Sequence, residues 1–82
     1  MVQEEGLLSA LAQATGLQGR DLSTTRSLLD LGLTSFRIMQ ALMQIEEGFG
    51  IEFSEEDVVR FPAVPANALV DFIAERIRVS DS

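Results

Sequence analysis

Apolar positions in this chain fall into four stretches of helical period, separated by glycine, proline and short polar runs. In the first, Glu4–Thr15, Leu7, Leu8, Leu11 and Ala12 share one face, and Gly16 is placed to end the helix. A second, stronger stripe begins after Thr34. Ile38, Leu42, Ile45 and Phe49 lie at i, i+4, i+7 and i+11, with Met39 and Met43 widening it. Thr34 is placed to cap the first turn, and Gly48 and Gly50 supply the stop. Ser54-Glu55-Glu56-Asp57 has the form of a capping box and opens a short third helix that Pro62 ends. Pro65 stands near the start of a fourth, whose buried face is Ala66, Leu69, Val70, Ile73 and Ile77. Ser80–Ser82 is expected to fray. No strand alternation of useful length occurs. The pattern predicts an all-α four-helix bundle, three helices longer and one short, as a single domain over residues 1–82 with its core at about 4–79.

Between the first two stretches, from Gly16 to about Leu33, no period is sustained. Gly19, Asp21, Ser23, Thr24, Thr25 and Gly32 are all residues that favour loops. A connection this long in so small a domain is either functional or pinned to the core. Leu17, Leu22, Leu28 and Leu29 are the expected pins.

Composition narrows what such a bundle can do. The 82 residues are 46% hydrophobic, enough for a globular core, and lack cysteine, histidine and lysine. Disulfides, thiolate or imidazole metal sites and a Ser-His-Asp arrangement are thereby excluded. The remaining carboxylates lie in short runs, not as two isolated acids in apolar surroundings, so an enzyme is not expected. Thirteen acids oppose six bases, all arginine, for a formal charge of −7. That balance disfavours nucleic acid and favours basic protein surfaces. No run is apolar and long enough for membrane insertion, and the sequence opens on no basic-then-apolar stretch. The expectation is a cytoplasmic, monomeric, free-standing protein.

One stretch carries chemistry. In Leu28-Leu29-Asp30-Leu31-Gly32-Leu33-Thr34-Ser35-Phe36 a glycine loop delivers a serine to the first turn of an apolar helix. The buried stripe comes from later residues, so the Ser35 hydroxyl is expected to face outward. A phosphodiester there would meet the positive end of the helix, worth about 0.3–1 kcal/mol. Serine is also a common helix-start residue with no further role.

The run Asp30-Leu31-Gly32-Leu33-Thr34-Ser35-Phe36 closely resembles the attachment motif of acyl carrier proteins and related thiolation domains. The resemblance continues through Ile45–Phe53 and the acidic run Glu55-Glu56-Asp57, and ends with Leu69, Phe72 and Ile73. It implies that Ser35 receives 4′-phosphopantetheine from coenzyme A through a separate phosphopantetheinyl transferase. The arm's thiol would then hold an acyl or aminoacyl group as a thioester for cargo-loading and cargo-using enzymes. Tethering would raise the cargo's effective concentration at a docked active site. Fatty acid, polyketide and aminoacyl pathways all remain open.

Two departures from the family pattern bear on partners. Thr34 stands where many members have aspartate, and Arg37, Gln40 and Gln44 occupy a helix front that is often acidic. Thr34, Phe36, Arg37, Glu46, Glu47, Glu55, Glu56 and Asp57 are the candidate docking residues, and a specialised pathway is the expectation. Met39 and Met43 would form a soft interior open to an acyl chain, or plain core. The alternative from another class is a small acidic helical interaction module without a prosthetic group.

Overall fold

The computed structural model describes residues 3–81. Among them are helices α1 (Gln3–Thr15), α2 (Ser35–Phe49), α3 (Glu55–Arg60) and α4 (Ala66–Asp81), with 3-10 turns at Asp21–Ser23 and Phe61–Ala63. No strand occurs among the described residues, where Ser27 and Pro65 form an isolated antiparallel bridge. The all-α bundle expected from the pattern is the fold. α4 runs through Asp81, and Ser82 lies outside the described residues.

Each helix ends for a local reason. Gly16, at φ +78°, adopts the left-handed conformation and donates its amide to the Ala12 carbonyl at 2.9 Å, closing α1. Gly50, at φ +67°, closes α2, while Gly48 remains inside that helix and stops nothing. Pro62 falls within the 3-10 turn that follows α3.

The core is a single cluster drawn from every long element: Leu7 and Leu11 from α1, Ile38, Leu42 and Ile45 from α2, Leu69, Ile73 and Ile77 from α4. Side chains so fully buried contribute about 1.5–3 kcal/mol each from desolvation. On α2 the fourth buried position is Ala41, at i+3 from Ile38. The buried arc therefore extends toward Ala41, and Met39 and Met43 lie on the opposite flank, 42% and 57% exposed. They do not widen the stripe and are not part of the buried interior. Phe49 is half-buried.

α3 buries no residue of its own. It is held by the aromatic side chains that flank it. Phe61 is 1% exposed and stacks edge-on with Phe53 (centroids 5.1 Å apart) and Phe72 (5.4 Å).

The long connection is pinned as expected by Leu22 and Leu28, with Leu17 packed at the edge. Leu29 is not a pin but is 44% exposed. Its amide donates to the Pro62 carbonyl at 3.4 Å, which anchors this residue through its backbone. Further along, the first amides of α4 are satisfied by the same connection: Ala66 donates to the Arg26 carbonyl at 2.7 Å and Asn67 to that of Thr24 at 3.0 Å.

Candidate functional site

The approach to Ser35 is a wound turn. Asp30 N–H donates to Ser27 Oγ at 3.1 Å, Leu31 N–H to the Ser27 carbonyl at 3.0 Å and Leu33 N–H to the Leu28 carbonyl at 3.1 Å. Arg26 Nη2 donates to the Asp30 carbonyl at 2.7 Å from outside. Gly32, at φ +100°, makes the reversal that a side chain would strain. The chain then straightens at Thr34 (φ −81°, ψ 159°), whose Oγ1 accepts the Arg37 amide at 3.1 Å.

Ser35 is the first residue of α2, and it is exposed. Its hydroxyl has no protein partner, and the amides of Ser35 and Phe36 have no acceptor, among the described residues. No acid stands in the first turn of α2. A free hydroxyl thus sits beside uncommitted amides at the positive end of a helix that carries no compensating carboxylate.

The candidate docking residues do not form one patch. Thr34, Phe36 and Arg37 surround Ser35; Phe36 is 72% exposed. Glu46 and Glu47 lie near the other end of α2, about 16 Å along the axis at 1.5 Å per residue. Glu46 is half-buried, and its Oε2 accepts the Phe53 amide at 2.8 Å, tying α2 to the segment before α3. Glu55 and Glu56 are exposed, and Asp57, half-buried, faces Arg60 at 3.8 Å.

Sequence reasoning missed two features. Phe36, Met39, Met43 and the 78% exposed Val59 place large apolar side chains in solvent on α2 and α3. Phe53, Met39, Val58 and Val59 border a shallow cleft of about 280 Å³ between those helices. On the other flank, the Arg37 side chain folds toward the end of α1: a terminal nitrogen lies 3.7 Å from where a Cβ on Gly16 would stand. Chain distance hides that approach; the only signal for it is that α1 has no basic residue in its last turn.

The sequence model of the family described as phosphopantetheine attachment site matches residues 5–75. The chain belongs to that family. A search of curated proteins and a search of solved structures each returned no match. The family is defined by covalently attached 4′-phosphopantetheine, and its domains are carriers that meet a phosphopantetheinyl transferase and partner enzymes. The residues at the start of α2 fit such a group: an exposed hydroxyl to esterify, free amides beside it, and no carboxylate in the first turn to repel a phosphodiester. Among the described residues no cluster of metal-ligating side chains occurs, and no helix is long and apolar enough to cross a membrane.

Proposed function

We propose that residues 4–79 act as one carrier domain whose Ser35 bears 4′-phosphopantetheine and presents a thioester-bound acyl or aminoacyl group to partner enzymes. The observation that carries the assignment is the setting of Ser35: first in α2, exposed, behind Gly32 at φ +100°, its hydroxyl unengaged. The Ser35 oxygen attacks the pyrophosphate of coenzyme A at the phosphorus that carries pantetheine. A phosphodiester forms, adenosine 3′,5′-bisphosphate leaves, and the hydroxyl proton passes to a base on the transferase, since this chain offers no histidine. The arm's thiol then takes the cargo. The domain positions that thiol and leaves catalysis to its partners.

Docking is proposed on the α2–α3 side, where Phe36, Met39, Met43 and Val59 form an apolar centre with Glu47, Glu55 and Glu56 around it. A partner with an apolar contact and a basic rim fits that surface. Arg37 and the absence of an acid at Thr34 favour a dedicated partner set in a specialised pathway.

Incubation with coenzyme A and a broad-specificity transferase tests the attachment by intact mass. Wild type is expected to gain one phosphopantetheine group. Ser35→Ala is expected to keep its helical circular dichroism and gain nothing. Modification that persists in Ser35→Ala would overturn the assignment. A folded wild type that gains no mass would point to an interaction module without a prosthetic group.

A further inference from the structure

A second cleft, of about 550 Å³, opens beside the attachment turn on the flank of α2 away from Met39 and Met43. Leu31, Leu33 and Phe36 supply its apolar wall, and Thr15, Arg37 and Gln40 its polar one. Thr34 and Phe36, the neighbours of Ser35 on either side, both border it. Gly16 and Gly32 keep two of its approaches free of side chains. A Cβ at Gly32 would meet nothing within 4 Å, and one at Gly16 only Arg37.

Arg37 is the chemically distinctive group. Arg26 and Arg76 donate to backbone carbonyls, and Arg60 and Arg78 face carboxylates; Arg20 and Arg37 do neither among the described residues, and of the two only Arg37 borders the cleft. The Arg37 side chain is exposed, and its guanidinium reaches toward the end of α1, a terminal nitrogen lying 3.7 Å from where a Cβ on Gly16 would stand. It leaves a planar, multidentate donor facing a partly apolar space.

We propose that this cleft seats the phosphopantetheine arm in the resting carrier, with Arg37 and Gln40 as its polar contacts and Leu31, Leu33 and Phe36 as its apolar ones. The inference rests on attachment at Ser35. The arm's chemistry matches the lining: a phosphodiester at its root, then a carbon bearing two methyl groups, then a hydroxyl and amides. The competing face, with Phe53, Met39, Val58 and Val59, offers those amides and that charge no cationic side chain but Arg60, which already faces Asp57. Its acids, Glu55 and Glu56, could accept from the arm's amides but would repel the phosphodiester at its root. Seating the arm on the α1 side leaves Met39, Met43 and Val59 bare for a docking partner, while Phe36 belongs to both surfaces.

The test compares ¹⁵N-labelled apo and holo protein by NMR, with modification verified by mass. Holo protein is expected to show amide shifts at Thr15, Gly16 and Leu33, shifts of the Arg37 Nε–H and Gln40 side-chain signals, and nuclear Overhauser effects from the arm's methyl groups to Leu33 and Phe36. Gln40→Glu, at an exposed helical position, places a carboxylate beside Arg37. It should lower the Thr15 and Gly16 shifts by about twofold or more, with modification still complete. Arg37→Gln should act in the same direction. Shifts confined to residues 34–36, or methyl contacts on Met39, Met43 or Val59, would overturn the proposal. A wild-type chain that gains no mass removes the attachment itself, a failure visible before any spectrum is recorded, and the seating falls with it.

Discussion

Two helices in this molecule start in the same way and are prepared for opposite ends. Thr34 before α2 (φ −81°, ψ 159°) and Ser54 before α3 (φ −72°, ψ 161°) have matching backbones, and each hydroxyl oxygen accepts the amide three residues on at 3.1 Å. After the cap they diverge. The first turn of α3 carries Glu55, Glu56 and Asp57, so its positive end is answered from within the chain. The first turn of α2 carries Ser35, Phe36 and Arg37 and no acid, so its positive end is not answered from within that turn. Capping alone therefore does not mark a site. What marks it is a capped helix start whose charge has been left uncompensated, next to a hydroxyl that the cap does not use.

The largest way to disturb this contrast is through what holds the two helices. α2 buries four side chains, whereas α3 buries none and depends on Phe61 between Phe53 and Phe72. Phe61→Ala should cost about 3–5 kcal/mol in urea unfolding, with amide exchange in residues 55–60 accelerating well beyond that in α2 at any stability that remains. Equal acceleration in both helices would show that α3 is not separately tethered. Next in size are the caps. Thr34→Ala and Ser54→Ala should each cost about 0.5–2 kcal/mol, measured the same way. Thr34→Asp should instead add about 0.3–1 kcal/mol to the apo protein by compensating α2, and less to the holo protein, where on the proposed attachment a phosphodiester already stands at Ser35. An equal gain in both forms would mean that the phosphodiester does not feel the helix end. Comparable to the caps, counting two charges together, is reversal of the charge on α3. Glu55→Arg with Glu56→Arg should cost about 0.3–1 kcal/mol per charge, and also slow association with a basic-rimmed partner at low salt while flattening its salt dependence. Unchanged rates at low salt would make these acids ordinary solvated surface.

The helices were legible because each had a period, joined by a cap and a stop at α2 and α3, by the Gly16 stop at α1 and by Pro65 near the start of α4. The helix start at Ser35, behind a glycine turn, was legible in the same manner, whereas its candidacy as the attachment residue rests on the resemblance of Asp30–Phe36 to the carrier motif. Side-chain direction at the margins was not legible. Met39 and Met43 are neighbours of Ile38 and Leu42 in sequence, and one residue is about 100° of rotation. Their hydrophobicity suggested core, but the arc had already been completed through Ala41, which is small enough to let helices approach. Leu29 departs from its expected place for a related reason: a leucine can be anchored by its amide, here to Pro62, and leave its side chain in water. The 3-10 turn at Asp21–Ser23, where Asp21 Oδ2 accepts the Gln18 amide at 3.1 Å, is too short to leave a period. The reach of Arg37 to α1 depends on tertiary approach, which no local pattern encodes.

The backbone links from Thr24, Arg26 and Leu29 to Asn67, Ala66 and Pro62 have a consequence in the order of events during synthesis. The turn that presents Ser35 is fastened to residues made about forty positions after it starts, and contacts at such separation form late. A chain still being translated can hold the serine and even the α2 stripe, but not the fastened turn. Stalled chains ending before Pro62 should accordingly gain phosphopantetheine far more slowly than the complete domain, timed by mass after a pulse with transferase. Arm attachment would then serve as a proofreading step, since a thiol would be issued only to a carrier that has finished folding.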